Sequence, residues 1–135
     1  MANEVDTGDS YFAYPLWRGK YSIKPEESVS VDNSTLMLTK TNDVQICGDF
    51  KLTTSEYGEQ KIATLPEDCI PSQTVILPIF VLHKGQNSDY PVSTWVKFET
   101  TGAVVVYMLA ESDVETTVYL HGVSYHLCGK WYTNN

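Results

Sequence analysis

Residues 61–82 read KIATLPEDCIPSQTVILPIFVL. Two β-type runs, Lys61 to Thr64 and Thr74 to Leu82, flank a turn punctuated by Pro66 and Pro71. A proline pushes the residue before it toward β or polyproline geometry, so Leu65 and Ile70 are extended and no helix fits between the runs. The second run is continuous and rich in β-branched and aliphatic residues, which is a strand pattern. Pro78 interrupts it. Proline cannot donate to a sheet ladder, so a free edge or a bulge is expected at that position.

The same reading extends in both directions. Upstream, Val44, Ile46, Gly48, Phe50 and Leu52 alternate with Gln45, Cys47, Asp49, Lys51 and Thr53, which predicts one strand with an apolar face. Gly48 inside it marks a bulge or a close backbone approach. Trp17 to Ile23 also alternates, Pro25-Glu26-Glu27 breaks the chain, and Leu36 to Thr39 forms a further short strand. Downstream, Lys84 to Pro91 has loop composition. Val92, Thr94, Val96 and Phe98 share one face, with Trp95 and Lys97 on the other. Thr101-Gly102 makes a hairpin turn into Ala103 to Leu109. Val114 to Leu120 and Val123 to Trp131 close the chain around His121-Gly122.

No window carries a 3.6-residue apolar stripe, so helix content is expected below about 10%. About 8 to 10 short strands separated by frequent turns predict an all-β fold, an antiparallel β-sandwich or jelly-roll-like barrel. Residues 17–135 form its single domain. Residues 1–16 form an N-terminal arm, and the aromatic segment Tyr11 to Trp17 is expected to dock on its own domain or on a neighbouring subunit.

At 135 residues the chain is long enough for a core that needs no disulfide or metal. Its 17 acidic residues outnumber 9 basic ones, for a net charge of −8, and Arg18 is the one arginine. No basic stripe is present, which argues against nucleic acid as a partner and against anionic membrane surfaces. No apolar run approaches the ~20 residues of a membrane span, so no membrane insertion is expected. The polar, acidic N-terminus does not read as a leader. Three cysteines without a CxxC support neither a zinc knuckle nor a thioredoxin motif. Cys47 and Cys128 read as small buried hydrophobes, which suits assembly in a reducing cytoplasm.

Catalytic patterns are sparse. His121 and His126 lie five apart on β-type sequence and so point to opposite faces, a poor metal pair. No GxSxG elbow occurs. His126 and Cys128 share a strand face without an orienting third group. The acids cluster in turns, where solvated carboxylates sit, rather than as a spaced catalytic pair. The expectation is a protein that is not an enzyme and takes no cofactor and no metal. Binding is more plausible chemistry. Tyr90 shares a loop with Asn87 and Asp89, and Trp17 opens the first strand. Aromatic faces stack on the C–H patches of sugar rings while Asn and Asp accept hydroxyl hydrogen bonds. Asn87, Asp89, Tyr90 and Trp17 are therefore the candidate binding residues.

The block Ile62 to Pro66, followed by four residues, Pro71-Ser72 and an apolar strand, is similar to a pattern in phage fibre proteins. The chain resembles the C-terminal β-sandwich domains of phage tail fibres and baseplate appendages of the receptor-binding or head-fibre type. Thr100 to Val106 matches their glycine-turn hairpin and Val118 to Tyr125 their closing strands, so the resemblance runs from Val44 to Tyr125. Between the prolines that family carries a glycine and an arginine, where this chain has Glu67, Asp68, Cys69 and Ile70. The resemblance implies a virion structural or adhesion domain, assembled in the host cytoplasm, that forms a homotrimer. Its implied partners are other virion proteins and a saccharide or protein of the host cell surface. A stand-alone, monomeric carbohydrate-binding module of bacterial origin is the alternative reading.

Overall fold

Val44, Ile46, Phe50 and Leu52 are all buried in the computed structural model, as their alternation requires, yet they belong to two different sheets. The structure describes residues 17–31, 35–39, 42–84, 90–112 and 115–127. The arm 1–16, Asn87, Asp89, Cys128 and Trp131 lie outside the described residues. Within them run β1 (Trp17–Ser22), β2 (Lys24–Pro25), β3 (Val29–Val31), β4 (Thr35–Thr39), β5 (Asp43–Cys47) and β6 (Phe50–Leu52). They are followed by β7 (Gly58–Thr64), β8 (Val75–His83), β9 (Val92–Phe98), β10 (Ala103–Met108), β11 (Thr116–Tyr119) and β12 (Ser124–His126).

An eight-stranded antiparallel sheet has the order β2-β7-β10-β9-β8-β11-β6-β3, and a four-stranded one the order β12-β5-β4-β1. The two edges of the larger sheet, β2 and β3, are consecutive in the chain. One turn joins them, closed by the Val29 N–H donating to the Glu26 carbonyl at 3.0 Å. Edges held one turn apart force the sheet to curl into a nearly closed barrel, which removes most of the unpaired strand edge that invites aggregation. The smaller sheet shares its core. Leu36, Leu38, Val44, Ile46 and Tyr125 from that sheet join Phe50, Ile62, Val96, Phe98 and Val118 from the larger one in a single buried cluster. The all-β, sandwich-or-barrel expectation is borne out.

The predicted single strand from Val44 to Leu52 is corrected in one respect. The chain leaves the small sheet at Gly48 and enters the large one at Phe50. Gly48 has φ 106°, a conformation glycine adopts at little cost. Its N–H donates to His121 Nδ1 at 2.8 Å, and Asp49 Oδ1 accepts from the His121 N–H at 2.9 Å. The glycine therefore marks a corner pinned to the His121-Gly122 turn, rather than a bulge. A period of two continues around a corner as easily as along a strand, which is why the alternation hid it.

Pro78 sits as expected. The β8–β11 ladder covers only Phe80 to His83, so β8 has no described partner on that side at Pro78. The proline turn differs from expectation. Glu67–Cys69 forms one turn of 3-10 helix, with the Cys69 N–H donating to the Pro66 carbonyl at 2.9 Å, while Pro66 and Ile70 are extended. Of the two described cysteines, Cys69 is fully buried and Cys47, at the end of β5, is only half-buried.

Candidate functional site

In the large sheet, Met108 pairs with Gly58, Val92 with Val81, and Thr116 with both His83 and Leu52. The ends of β6, β8 and β10 and the starts of β7, β9 and β11 therefore meet at one pole of the barrel. Three connections leave from that pole: 53–57, 84–91 and 109–115. The first and third are stitched together by Ser55 and Ser112, whose N–H groups each donate to the other's carbonyl at 2.8 and 2.9 Å.

Beneath this bridge lies a buried polar knot. His83, 6% exposed, places Nδ1 3.2 Å from Thr116 Oγ1 and 3.4 Å from Ser55 Oγ. Thr116 donates its hydroxyl proton to Ser55 Oγ at 3.2 Å, and Ser55 donates to the Ala110 carbonyl at 3.1 Å. Nδ1 thus faces both hydroxyls, and the other ring nitrogen is Nε2. That nitrogen is buried and has no partner among the described residues. Ser55 directs its hydroxyl proton to the Ala110 carbonyl at 3.1 Å rather than to the His83 ring at 3.4 Å.

Burial lowers the pKa of His83, because the imidazolium would lose its water inside the barrel. The unfolded chain then binds a proton more readily than the folded one. The stability contributed by a neutral His83 is present above pH ~6.5, the unperturbed histidine value, and is lost as the pH falls below it. Urea midpoints measured between pH 7.5 and 5 should fall more steeply for wild type than for His83→Asn. Equal slopes would remove His83 as the cause.

Above the knot is a recess of about 450 Å³ lined by Thr54, Ser55, Glu56, Glu111 and Ser112. Hydroxyls and two carboxylates dominate its wall, a lining suited to a ligand rich in hydrogen-bond donors. Tyr90 stands at the same pole, 77% exposed, two residues before β9. Of the other candidate binding residues, Asn87 and Asp89 lie outside the described residues. Trp17 opens β1 at the edge of the small sheet, a different sheet from the one that carries Tyr90. The pole residues Ser55, His83, Ser112 and Thr116 escaped the sequence reading. One signal was available: His83 continues the inward parity of Ile79 and Val81, and Thr116 that of Val118.

The barrel's outer wall is chemically divided. On β9 and β10, Trp95 packs on Tyr107 with ring centroids 5.4 Å apart, and Tyr107 meets Tyr57 edge-on at 5.8 Å with their hydroxyls 3.1 Å apart. Lys97 is held between Glu59 and Glu99, each at 3.1 Å. On β8 and β11, Ile76 is 59% and Phe80 53% exposed, and Phe80, Pro91 and Tyr119 line an apolar groove of about 320 Å³. The remaining histidines lie apart: His121 holds the Gly48 corner, and His126 Nδ1 lies 2.9 Å from Asp43 Oδ1 on β5. Among the described residues no group of three His, Cys, Asp or Glu side chains is placed to hold a metal. Among the described residues no helix is long and apolar enough to cross a membrane.

No protein-family model matches this chain, and no curated protein matches it in sequence. Among solved structures, the crystal structure of the receptor binding protein (gp15) of Listeria phage PSA is similar, with a TM-score of 0.56 at 15% identity. The match covers 86% of this chain and 68% of that one. At that identity the likeness is one of fold.

Proposed function

We propose that this chain is a virion adhesion module of the phage receptor-binding type, which contacts the host cell surface without catalysis. The observation that carries this reading is the fold likeness to a phage receptor-binding protein over most of the chain. The barrel supports it physically. A rigid, nearly closed sheet gathers three connections at one pole, and loops on a rigid scaffold are where recognition residues concentrate. Tyr90 supplies an exposed aromatic face there, and the recess at the same pole supplies carboxylate and hydroxyl partners. This chemistry fits a surface saccharide: C–H patches stack on the ring while hydroxyls donate to Glu56 and Glu111. The module works as a homotrimer, so that three weak contacts add by avidity.

Fluorescently labelled chain incubated with a panel of bacterial strains, Listeria included, tests the reading. Saturable retention on at least one strain, competed by unlabelled chain, is expected. Absence of saturable retention on every strain would count against adhesion, and turnover of a surface polysaccharide would count against a non-catalytic role.

A further inference from the structure

The five residues that line the polar recess come from two connections: Thr54, Ser55 and Glu56 from 53–57, and Glu111 and Ser112 from 109–115. The two are joined by an isolated bridge outside the strands, in which Ser55 and Ser112 exchange backbone hydrogen bonds. The shape of the recess therefore depends on that bridge. A single bridge between surface connections opens locally at far less cost than the barrel unfolds.

The residue beneath the bridge is titratable. His83 ends β8, is almost fully buried, and places Nδ1 against Thr116 Oγ1 and Ser55 Oγ. Ser55 thus belongs to the bridge through its backbone and touches the ring through its side chain. A neutral imidazole carries one N–H, whichever nitrogen holds it. The imidazolium carries two, together with a charge. Nε2 would then be a buried donor without an acceptor among the described residues, a costly state. The groups around the ring do not offset that cost. Its hydrogen-bond partners are the two hydroxyls. Glu115, next to Thr116, pairs with Lys84 at 3.8 Å, and Glu56 and Glu111 stand in the recess wall without a hydrogen bond to the ring. β6 brings the apolar Leu52 to the position opposite Thr116. On the β9 side the titratable residue is Tyr90, which is largely exposed.

We propose that His83 is a pH-sensitive latch for the recess. Neutral, it lies under the closed Ser55–Ser112 bridge. Protonated, it reaches water only when the bridge opens and the two connections part, which takes Ser55, Glu56, Glu111 and Ser112 out of their common wall. In the open form the ring has the ordinary histidine value of ~6.5, and in the closed form burial holds it lower. The ratio of open to closed pole therefore rises by up to about tenfold for each pH unit below ~6.5, until the closed form is protonated as well. The regulatory meaning rests on the recognition role proposed for the pole: acid disengages the module from its ligand.

Amide hydrogen exchange of the full chain between pH 7.5 and 5, expressed as protection factors, tests the latch without any ligand. The Ser55 and Ser112 amides report the bridge, and those of Val81 and Val96, buried in the central strands β8 and β9, report the barrel. Ser55 and Ser112 are expected to be less protected than Val81 and Val96 throughout, and to lose protection at a rate approaching tenfold per pH unit below ~6.5. In His83→Asn that pH dependence should vanish. Protection at Ser55 and Ser112 that stays flat with pH, or that equals that of Val81 and Val96, overturns the latch on wild type alone. An equally steep loss in His83→Asn, which leaves His121 and His126 in place, overturns it too. Cell retention that persists at pH 5, on a strain that retains the chain at pH 7.5 and with the pole open by exchange, would instead overturn recognition at the pole and leave the latch standing.

Discussion

Replacing Phe98 by alanine is expected to cost about 3–5 kcal/mol of folding stability, the range for truncating a fully buried aromatic side chain. Phe98 ends β9 in the large sheet and is fully buried. Its ring stacks on Tyr125 of β12, in the small sheet, with centroids 4.3 Å apart and planes 23° from parallel. Tyr125 donates its hydroxyl to the Cys69 carbonyl at 2.7 Å, which ties the proline turn to the same point. Burial holds the Tyr125 phenol far above its ordinary pKa, so it stays a neutral donor. One contact thus fastens both sheets and the crossing turn, and the cavity left by alanine opens where all three meet. Equilibrium denaturation in urea should show a midpoint drop corresponding to that loss with an unchanged slope. A change below about 1 kcal/mol would mean that the sheets are held together elsewhere.

The second large effect is expected at Gly102. The Gly102 N–H donates to the Glu99 carbonyl at 2.9 Å, and the Glu99 N–H donates to the Ala103 carbonyl at 2.9 Å. Gly102 itself has φ 94°. This is a type I turn closed by a glycine in the left-handed region, a common hairpin solution. Two independent penalties await a side chain. The backbone conformation disfavours any residue with a Cβ, most of all a β-branched one. A Cβ would also sit 3.1 Å from Ile70 Cδ1 and 3.6 Å from the Leu65 carbonyl oxygen. The Gly102 carbonyl meanwhile accepts from the Leu65 N–H at 2.7 Å, so the turn cannot move away without breaking that bond. Gly102→Val is expected to cost at least about 2 kcal/mol. Gly102→Asn should cost less, since asparagine tolerates the left-handed region, although the Ile70 contact remains. If valine and asparagine lower the thermal midpoint equally, sterics at Ile70 dominate and backbone strain does not.

Much of this fold was legible because the core obeys a period of two. Val44, Ile46, Phe50 and Leu52 were placed on the buried face, and Val96 and Phe98 on the inner face of β9, from alternation alone. The Thr101-Gly102 hairpin and the Pro78 edge followed from residues whose backbone chemistry admits few alternatives. What alternation cannot encode is which sheet a strand joins. The corner at Gly48 and the split of residues 24–31 into two opposite edges, β2 and β3, depend on contacts with residues far along the chain: His121 for the first, Ile62 and Phe50 for the second.

The site was less legible for the same reason. Tyr90 was identifiable from loop composition. The pole around it is assembled from Ser55, His83, Ser112 and Thr116, ordinary residues in sequence that come together only when the connections 53–57 and 109–115 meet the end of β8. The alternate exposure of β8 could not be read from its sequence, because eight of its nine residues, Val75–His83, are apolar or proline.

Recognition at the pole is the claim on which the functional account turns. The most direct measurement compares cell binding by wild type with that of a variant carrying Tyr90→Ala and Glu111→Ala, on a strain that retains the wild-type chain. A loss of at least about tenfold in affinity, about 1.4 kcal/mol, is predicted, with solution mass and β spectrum unchanged. Undiminished binding by the doubly substituted chain would place the contact surface somewhere other than the pole and contradict the account.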